Sequence, residues 1–111
     1  MKKILEFDFL SGPIYKDIYY IKNNEIITGI DELDKNKKIM SLNQEIQDIY
    51  ASFYDQNRLS EDDPFNHLII ENNIEKLFRL KNMLIGEIEN TIPDVVIEDR
   101  TIDFFKKYLN Y

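Results

Sequence analysis

The residues most able to do chemistry lie in one short stretch, residues 58–67, which reads RLSEDDPFNH. It contains three consecutive acidic residues and the only histidine of the chain. Asp63 and His67 are four residues apart, a spacing that can place them on one helical face, where a carboxylate and an imidazole could bind a metal ion. Zinc sites use three or four ligands dominated by Cys and His, and the chain has a single His and no Cys. We therefore expect no metal and no cofactor, and we interpret Asp63 as a helix cap.

Nucleophilic and phosphate-binding chemistry has little support in the sequence. No serine lies in a Gly-x-Ser-x-Gly motif, and the three glycines, at positions 12, 29 and 86, are too scattered for a phosphate-binding loop. We predict that the protein is not an enzyme. Catalysis by paired carboxylates stays open at this point, because such pairing depends on distances in the folded chain.

The negative charge of the chain is concentrated in its middle third. The net charge is −7, and residues 1–38 and 76–111 each contain equal numbers of acidic and basic residues. Residues 39–75 contain eight acidic residues and one basic residue, Arg58. A field of this sign repels nucleic acid and anionic lipid and attracts basic proteins. We expect no nucleic-acid or membrane partner; a solvated face that serves solubility is the alternative interpretation.

Acidic residues adjoin aromatic ones near the end of this window. Tyr54 follows Tyr50 by one helical turn; Tyr50 falls on an apolar stripe and is expected in the core, and Tyr54 at its rim or at an interface. Tyrosine is frequent in interface hot spots, and nearby carboxylates steer basic partners. A second acidic set after Pro93 could lie close to the first. The candidate partner-binding residues are Tyr54, Asp55, Glu61, Asp62, Asp63, Asp94 and Glu98.

The elements that must position these residues follow from periodicity. Alternation over residues 5–9, a β-branched and aromatic run at 14–21 and a return at 25–29 predict strands, with a turn at Asn23–Asn24. Helical stripes predict one helix over 37–55 and a second from Pro64 to about Asn90. A short strand within 94–99 would join the N-terminal sheet, and a last helix would cover 100–109. The predicted fold is α+β, a single domain over 1–111: a small N-terminal antiparallel sheet packed against two longer helices and a short C-terminal helix.

The N-terminal half also carries a resemblance to a known class of proteins. The stretch DFLSGPIYKD, followed by TGIDELD, is similar to bacterial immunity proteins of contact-dependent growth inhibition and other polymorphic toxin systems. The resemblance implies a cytoplasmic protein that binds and neutralises a cognate basic toxin domain of nuclease type; it transfers no binding residue to this sequence. We expect a monomer or a weak homodimer. The alternative is an acidic DNA mimic that occupies the groove of a nucleic-acid enzyme.

Overall fold

The computed structural model describes residues 2–8, 12–15, 20–22, 25–28 and 30–109. Within these residues the strands are β1 (Lys2–Leu5), β2 (Tyr20–Lys22), β3 (Glu25–Ile27) and β4 (Val96–Asp99). The α-helices in the same residues are α1 (Asp31–Asp34), α2 (Lys37–Ser52), α3 (His67–Thr91) and α4 (Ile102–Leu109). Two short 3₁₀ turns cover Pro13–Tyr15 and Gln56–Arg58. None of the helices in the described part of the chain has the length and apolar character needed to cross a membrane.

Helices α2 and α3 form an antiparallel hairpin, the largest unit of the fold. Asn36, the N-cap of α2, donates to Thr91 at the end of α3 with a distance of 3.1 Å between Nδ2 and Oγ1. Farther along the hairpin, Lys76 Nζ lies 3.7 Å from Glu45 Oε1. The stripe that predicted α2 is buried against α3, which confirms that helix. The helix ends at Ser52, three residues earlier than predicted, because Tyr54 forms a β-bridge with Phe65 in the segment just before α3.

The predicted start of the second long helix is wrong. We placed it near Pro64 with Asp63 as the cap, whereas α3 begins at His67 and Asn66 is its N-cap, accepting from Ile69 N at 3.2 Å. Asparagine and aspartate cap helices about equally well, so sequence alone did not distinguish the two positions. Main-chain hydrogen bonds of the preceding residues hold them in an extended course, which delays the helix.

The N-terminal sheet is parallel, which corrects the predicted antiparallel sheet. Strand β1 pairs with β4, with Lys2 opposite Val96 and Leu5 opposite Asp99. Neighbouring parallel strands need a long crossover connection, and the chain between β1 and β4, including the helical hairpin, supplies it. Strands β2 and β3 form a separate antiparallel pair. The predicted turn at Asn23–Asn24 lies outside the described residues, as do Phe9 and Gly29.

Helix α4 and the residues after β1 close the core over the hairpin. Phe105 is fully buried, and Phe104 stacks on Phe53 of the hairpin with 6.1 Å between ring centroids. Phe7 lies against both Phe104 and Tyr50. Within the described residues, the buried apolar core comprises Leu5, Ile14, Leu33, Ile39, Leu42, Ile46, Tyr50, Phe53, Ile70, Ile74, Leu77, Leu80, Leu84, Ile88 and Phe105.

Candidate functional site

The acidic loop, defined here as residues 55–64, connects α2 to α3 and is closed at its neck by main-chain pairing. Tyr54 and Phe65 form an antiparallel bridge. Asp55 N donates to Pro64 O and Asn66 N donates to Phe53 O, both at 2.7 Å. Because the two ends of the loop are held together, its side chains are presented from a defined base, unlike those of a free linker.

Hydrogen bonds within the acidic loop hold two of its four carboxylates. Asp55 Oδ1 accepts from Asn57 N at 2.9 Å and starts the 3₁₀ turn. Arg58 Nε donates to Glu61 Oε2 at 2.9 Å, and Arg58 Nη1 reaches Phe65 O at 3.4 Å. Asp62 is exposed and makes no hydrogen bond or ion pair with another residue of the described ranges, so its carboxylate faces solvent.

Asp63 is fixed by the residues on both sides of the loop exit. Its Oδ1 accepts from Phe65 N at 3.3 Å, and its Oδ2 lies 2.6 Å from His67 Nε2. The hydrogen bond from His67, with that from Phe65, lowers the pKa of Asp63 below the ordinary carboxyl value. His67 Nδ1 in turn lies 3.0 Å from the Tyr108 hydroxyl on α4. The spacing of four that suggested a metal site therefore produces a carboxylate–imidazole–phenol chain.

An aromatic cluster supports the loop from below. Tyr54 packs on Phe65 with 4.8 Å between ring centroids, and Phe65 contacts Tyr50 and Phe104 at 6.2 and 6.1 Å. The hydroxyls of Tyr50 and Tyr54 are 3.2 Å apart. Burial, with the hydrogen bond to Tyr54, raises the pKa of Tyr50 above its ordinary value, so this phenol stays neutral. As predicted, Tyr50 is core; Tyr54 is half-buried at the base of the loop.

All eight acidic residues of the 39–75 window lie in the loop or in the halves of α2 and α3 that adjoin it. Four are in the loop, and the others occupy the adjoining halves of α2 and α3: Glu45, Asp48, Glu71 and Glu75. Basic residues border this surface at Lys76, which pairs with Glu45, and at Lys106 and Lys107 in the last turn of α4. The hairpin thus brings the acidic residues of this window into the half of its length that contains the loop.

The second predicted acidic set does not join this surface. Asp94 follows the far end of α3, and that helix rises about 36 Å between His67 and Thr91. Glu98, on β4, pairs with Lys2 at 2.9 Å and with Arg100. These two hydrogen bonds lower the pKa of Glu98. The structure therefore brings together Tyr54, Asp55, Glu61, Asp62 and Asp63, and it separates Asp94 and Glu98 from them.

Sequence reasoning missed two residues of the site, Arg58 and Tyr108. Arg58 lies three residues before Glu61, and this spacing is a recognised signal for a local ion pair. Tyr108 lies 41 residues from His67, and no local pattern could have predicted that contact.

Within the described ranges, no group of three or more His, Cys, Asp or Glu side chains is placed to hold a metal ion. Comparison of the chain with protein-family models, curated proteins and solved structures found no match.

Proposed function

We propose that the protein is an immunity protein that binds a cognate basic toxin domain, of nuclease type, and neutralises it in the cytoplasm. One observation carries the proposal: a loop closed at its neck presents four carboxylates in the half of the hairpin where the excess negative charge is gathered. The resemblance of the N-terminal half to immunity proteins of polymorphic toxin systems supports the toxin as the partner.

Steering and docking would be divided between two parts of the site. Asp62 carries a carboxylate free to meet a cation of the partner, and the surrounding acidic residues attract that partner over a distance of about 10 Å at 0.1 M salt. Tyr54 and Leu59 add contact area at the same place, since Leu59 is half exposed in the loop and Tyr54 lies at its base. If the toxin presents its cationic active site to this surface, binding alone blocks that active site. The inhibitor then needs no catalytic chemistry of its own.

The test compares two charge reversals of equal size. One variant combines Glu61→Lys, Asp62→Lys and Asp63→Lys, and the control combines Asp31→Lys, Glu32→Lys and Glu89→Lys, three exposed residues away from the loop. Both variants change the net charge by the same amount. Because Asn66 and not Asp63 caps α3, the loop variant should fold as well as the control, which circular dichroism checks.

The native chain and both variants serve as baits to capture partners from the native host. The captured protein is then purified for measurements of association kinetics. We expect the native chain and the control to capture a basic protein, and the loop variant to associate with it about tenfold more slowly at low salt. The difference should shrink as salt is added. Equal association rates for the two variants would place the interface elsewhere. Capture of a DNA-binding enzyme, with release by a short DNA duplex, would favour the DNA-mimic alternative.

A further inference from the structure

The outer face of α3, defined here as Arg79, Met83, Gly86 and Asn90, lies opposite the buried side of this helix. The four residues are spaced by four, three and four positions, so they follow one line along the helix. Arg79, Met83 and Asn90 are exposed, and the apolar side chain of Met83 belongs to a residue that is 44% exposed. This line has the spacing with which one helix packs along another.

Gly86 leaves a notch in the middle of this line. It lies in the interior of α3, where glycine is the least favourable residue after proline. A Cβ atom at this position would have no atom within 4 Å, so the fold of a single chain does not require glycine here. Glycine permits the close approach of another chain, and Met83, one turn earlier, is a flexible apolar side chain suited to filling such a notch.

Opposite charges lie on the two sides of the notch. Arg79 precedes Gly86 by about two turns of helix, and Glu89 follows it by almost one turn. Neither residue forms an ion pair within the described ranges, whereas Glu87 is paired with Lys38 on α2 at 2.9 Å. A helix that carries a cation before the notch and an anion after it is complementary to a second copy of itself that runs in the opposite direction.

We propose that the outer face of α3 is a homodimer interface, on which two copies of this chain pack α3 against α3 in antiparallel orientation. A two-fold axis between Met83 and Gly86 places Met83 of each copy opposite the Gly86 notch of the other. The same axis places Arg79 opposite Asn90, one residue from Glu89, so the interface contains two symmetric Arg79–Glu89 contacts.

The distribution of charge along the chain favours this partner and this orientation. Residues 76–111 contain equal numbers of acidic and basic residues, so two copies can approach there without net repulsion. In the antiparallel dimer each His67 lies about 26 Å from the axis, and the two acidic loops are about 50 Å apart, far beyond the screening length of about 10 Å at 0.1 M salt. Parallel helices would instead bring the loops together and oppose Arg79 to Arg79.

The interface uses about three turns of one helix from each copy. Its area is therefore smaller than the roughly 1,200–2,000 Å² of a stable interface, and we expect a weak dimer that forms at high protein concentration. Both acidic loops point away from the axis, so dimerisation leaves them open.

Exchange of charges across the axis tests the proposal by nuclear magnetic resonance and sedimentation at low salt. Arg79→Glu and Glu89→Arg each create two like-charge contacts, so each variant alone should dimerise about tenfold more weakly than the native chain. When unlabelled Glu89→Arg is added to ¹⁵N-labelled Arg79→Glu, every contact joins opposite charges. The amides of residues 79–90 should then shift, and the mixture should sediment as a dimer.

The matched control is unlabelled Glu71→Arg, which makes the same charge change at an exposed residue of α3 near the loop. It should shift the labelled amides far less. Circular dichroism checks that all variants fold. A native chain that stays monomeric at about millimolar concentration, or a mixture that behaves as its two components do alone, would overturn the homodimer. Shifts confined to the acidic loop would also overturn it.

Gly86→Gln tests the notch separately. Because no atom obstructs a side chain at this position, the change should raise the urea midpoint of the single chain, as expected for glycine replaced within a helix. The same side chain fills the notch, so dimerisation should weaken several-fold. A purely structural role of Gly86 would lower the urea midpoint. A variant that dimerises as well as the native chain would overturn the contact between Met83 and Gly86.

Discussion

Two carboxylates of this protein each meet a nitrogen-bearing side chain at hydrogen-bond distance, but in different surroundings. Asp63 meets His67 at 2.6 Å, and these side chains are 48% and 39% exposed. Asp99 meets Lys81 at 2.9 Å, and these side chains are only 14% and 6% exposed. The exposed pair sits on the acidic loop at the end of the hairpin, whereas the buried pair joins β4 to the middle of α3. Solvent exposure, not the type of contact, separates the two.

The buried pair is enclosed by Thr101 and by two aromatic rings. Asp99 Oδ1 accepts from both the main-chain N and the hydroxyl of Thr101, while its Oδ2 accepts from Lys81. Lys81 Nζ also lies 4.9 Å from the centre of the Phe78 ring and 5.3 Å from that of Phe105. Because both side chains of this pair are buried and hydrogen-bonded, the pair is a part of the fold. Asp62 is exposed to solvent, and the side chain of Asp63 is 48% exposed although both its oxygens accept hydrogen bonds.

The largest effect is expected from removing one member of the buried pair. Asp99→Ala leaves Lys81 as a charge without its carboxylate and also frees the two Thr101 donors, so it should lower the free energy of unfolding by about 3 kcal/mol. Urea denaturation followed by circular dichroism measures this. The double variant Asp99→Ala with Lys81→Met is the control, because it removes the stranded charge and keeps the stem of the side chain between the rings. The double variant should be more stable than Asp99→Ala alone. Equal stability would mean that Lys81 is not left as an unpaired buried charge in Asp99→Ala.

The difference in burial between the two pairs also predicts how the stability of the fold depends on pH. Burial by itself would raise the pKa of Asp99, but the hydrogen bonds from Thr101 and Lys81 outweigh it, and the pKa lies below the ordinary carboxyl value. Because the folded pKa is below the unfolded one, this carboxylate stabilises the fold above about pH 4, and the contribution is lost as the pH falls further. The advantage of the native chain over Asp99→Asn should therefore narrow between about pH 5 and pH 2.

The control for this titration is Asp63→Asn, in which an exposed carboxylate with a lowered pKa is removed. Its stability should follow that of the native chain over the same acid range far more closely, because solvent screens the pair. Native and Asp99→Asn curves that run parallel down to pH 2 would contradict the role given to Asp99.

The sequence predicted the helices and the strand whose positions depend on local periodicity. The stripes of α2 and α3 and the strand at 96–99 were recognisable, because burial repeats at fixed spacing in each element. The charge window of 39–75 was visible as composition, and the hairpin brings it into the half that contains the loop because consecutive antiparallel helices return the chain to the same place. The direction of β4 was not visible, since a parallel or an antiparallel partner leaves the same pattern in a short strand.

The roles of individual carboxylates could not be predicted, because they depend on long-range packing. In the sequence, Asp99 is one of several acidic residues after Pro93. Its burial depends on a contact with Lys81, which is 18 residues away. Asp63 precedes a proline, which favoured a helix cap, and the bridge between Tyr54 and Phe65 overrode that preference. Asp94 and Glu98 were grouped with the loop by composition, and the length of α3 separates them.

The smallest effect on folding is expected from the exposed pair, and this is where the comparison is sharpest. Asp63→Asn retains one acceptor oxygen for Phe65 or His67, so its urea midpoint should stay within the scatter of the native value. Association with a basic partner should nevertheless slow, most clearly at low salt, because one negative charge is lost from the loop. Asp99→Asn should behave in the opposite way, with a lower midpoint and an unchanged association rate for the fraction that is folded. If Asp63→Asn destabilised the fold as much as Asp99→Asn does, the acidic loop would be a structural element, and its exposed carboxylates would no longer mark a binding surface.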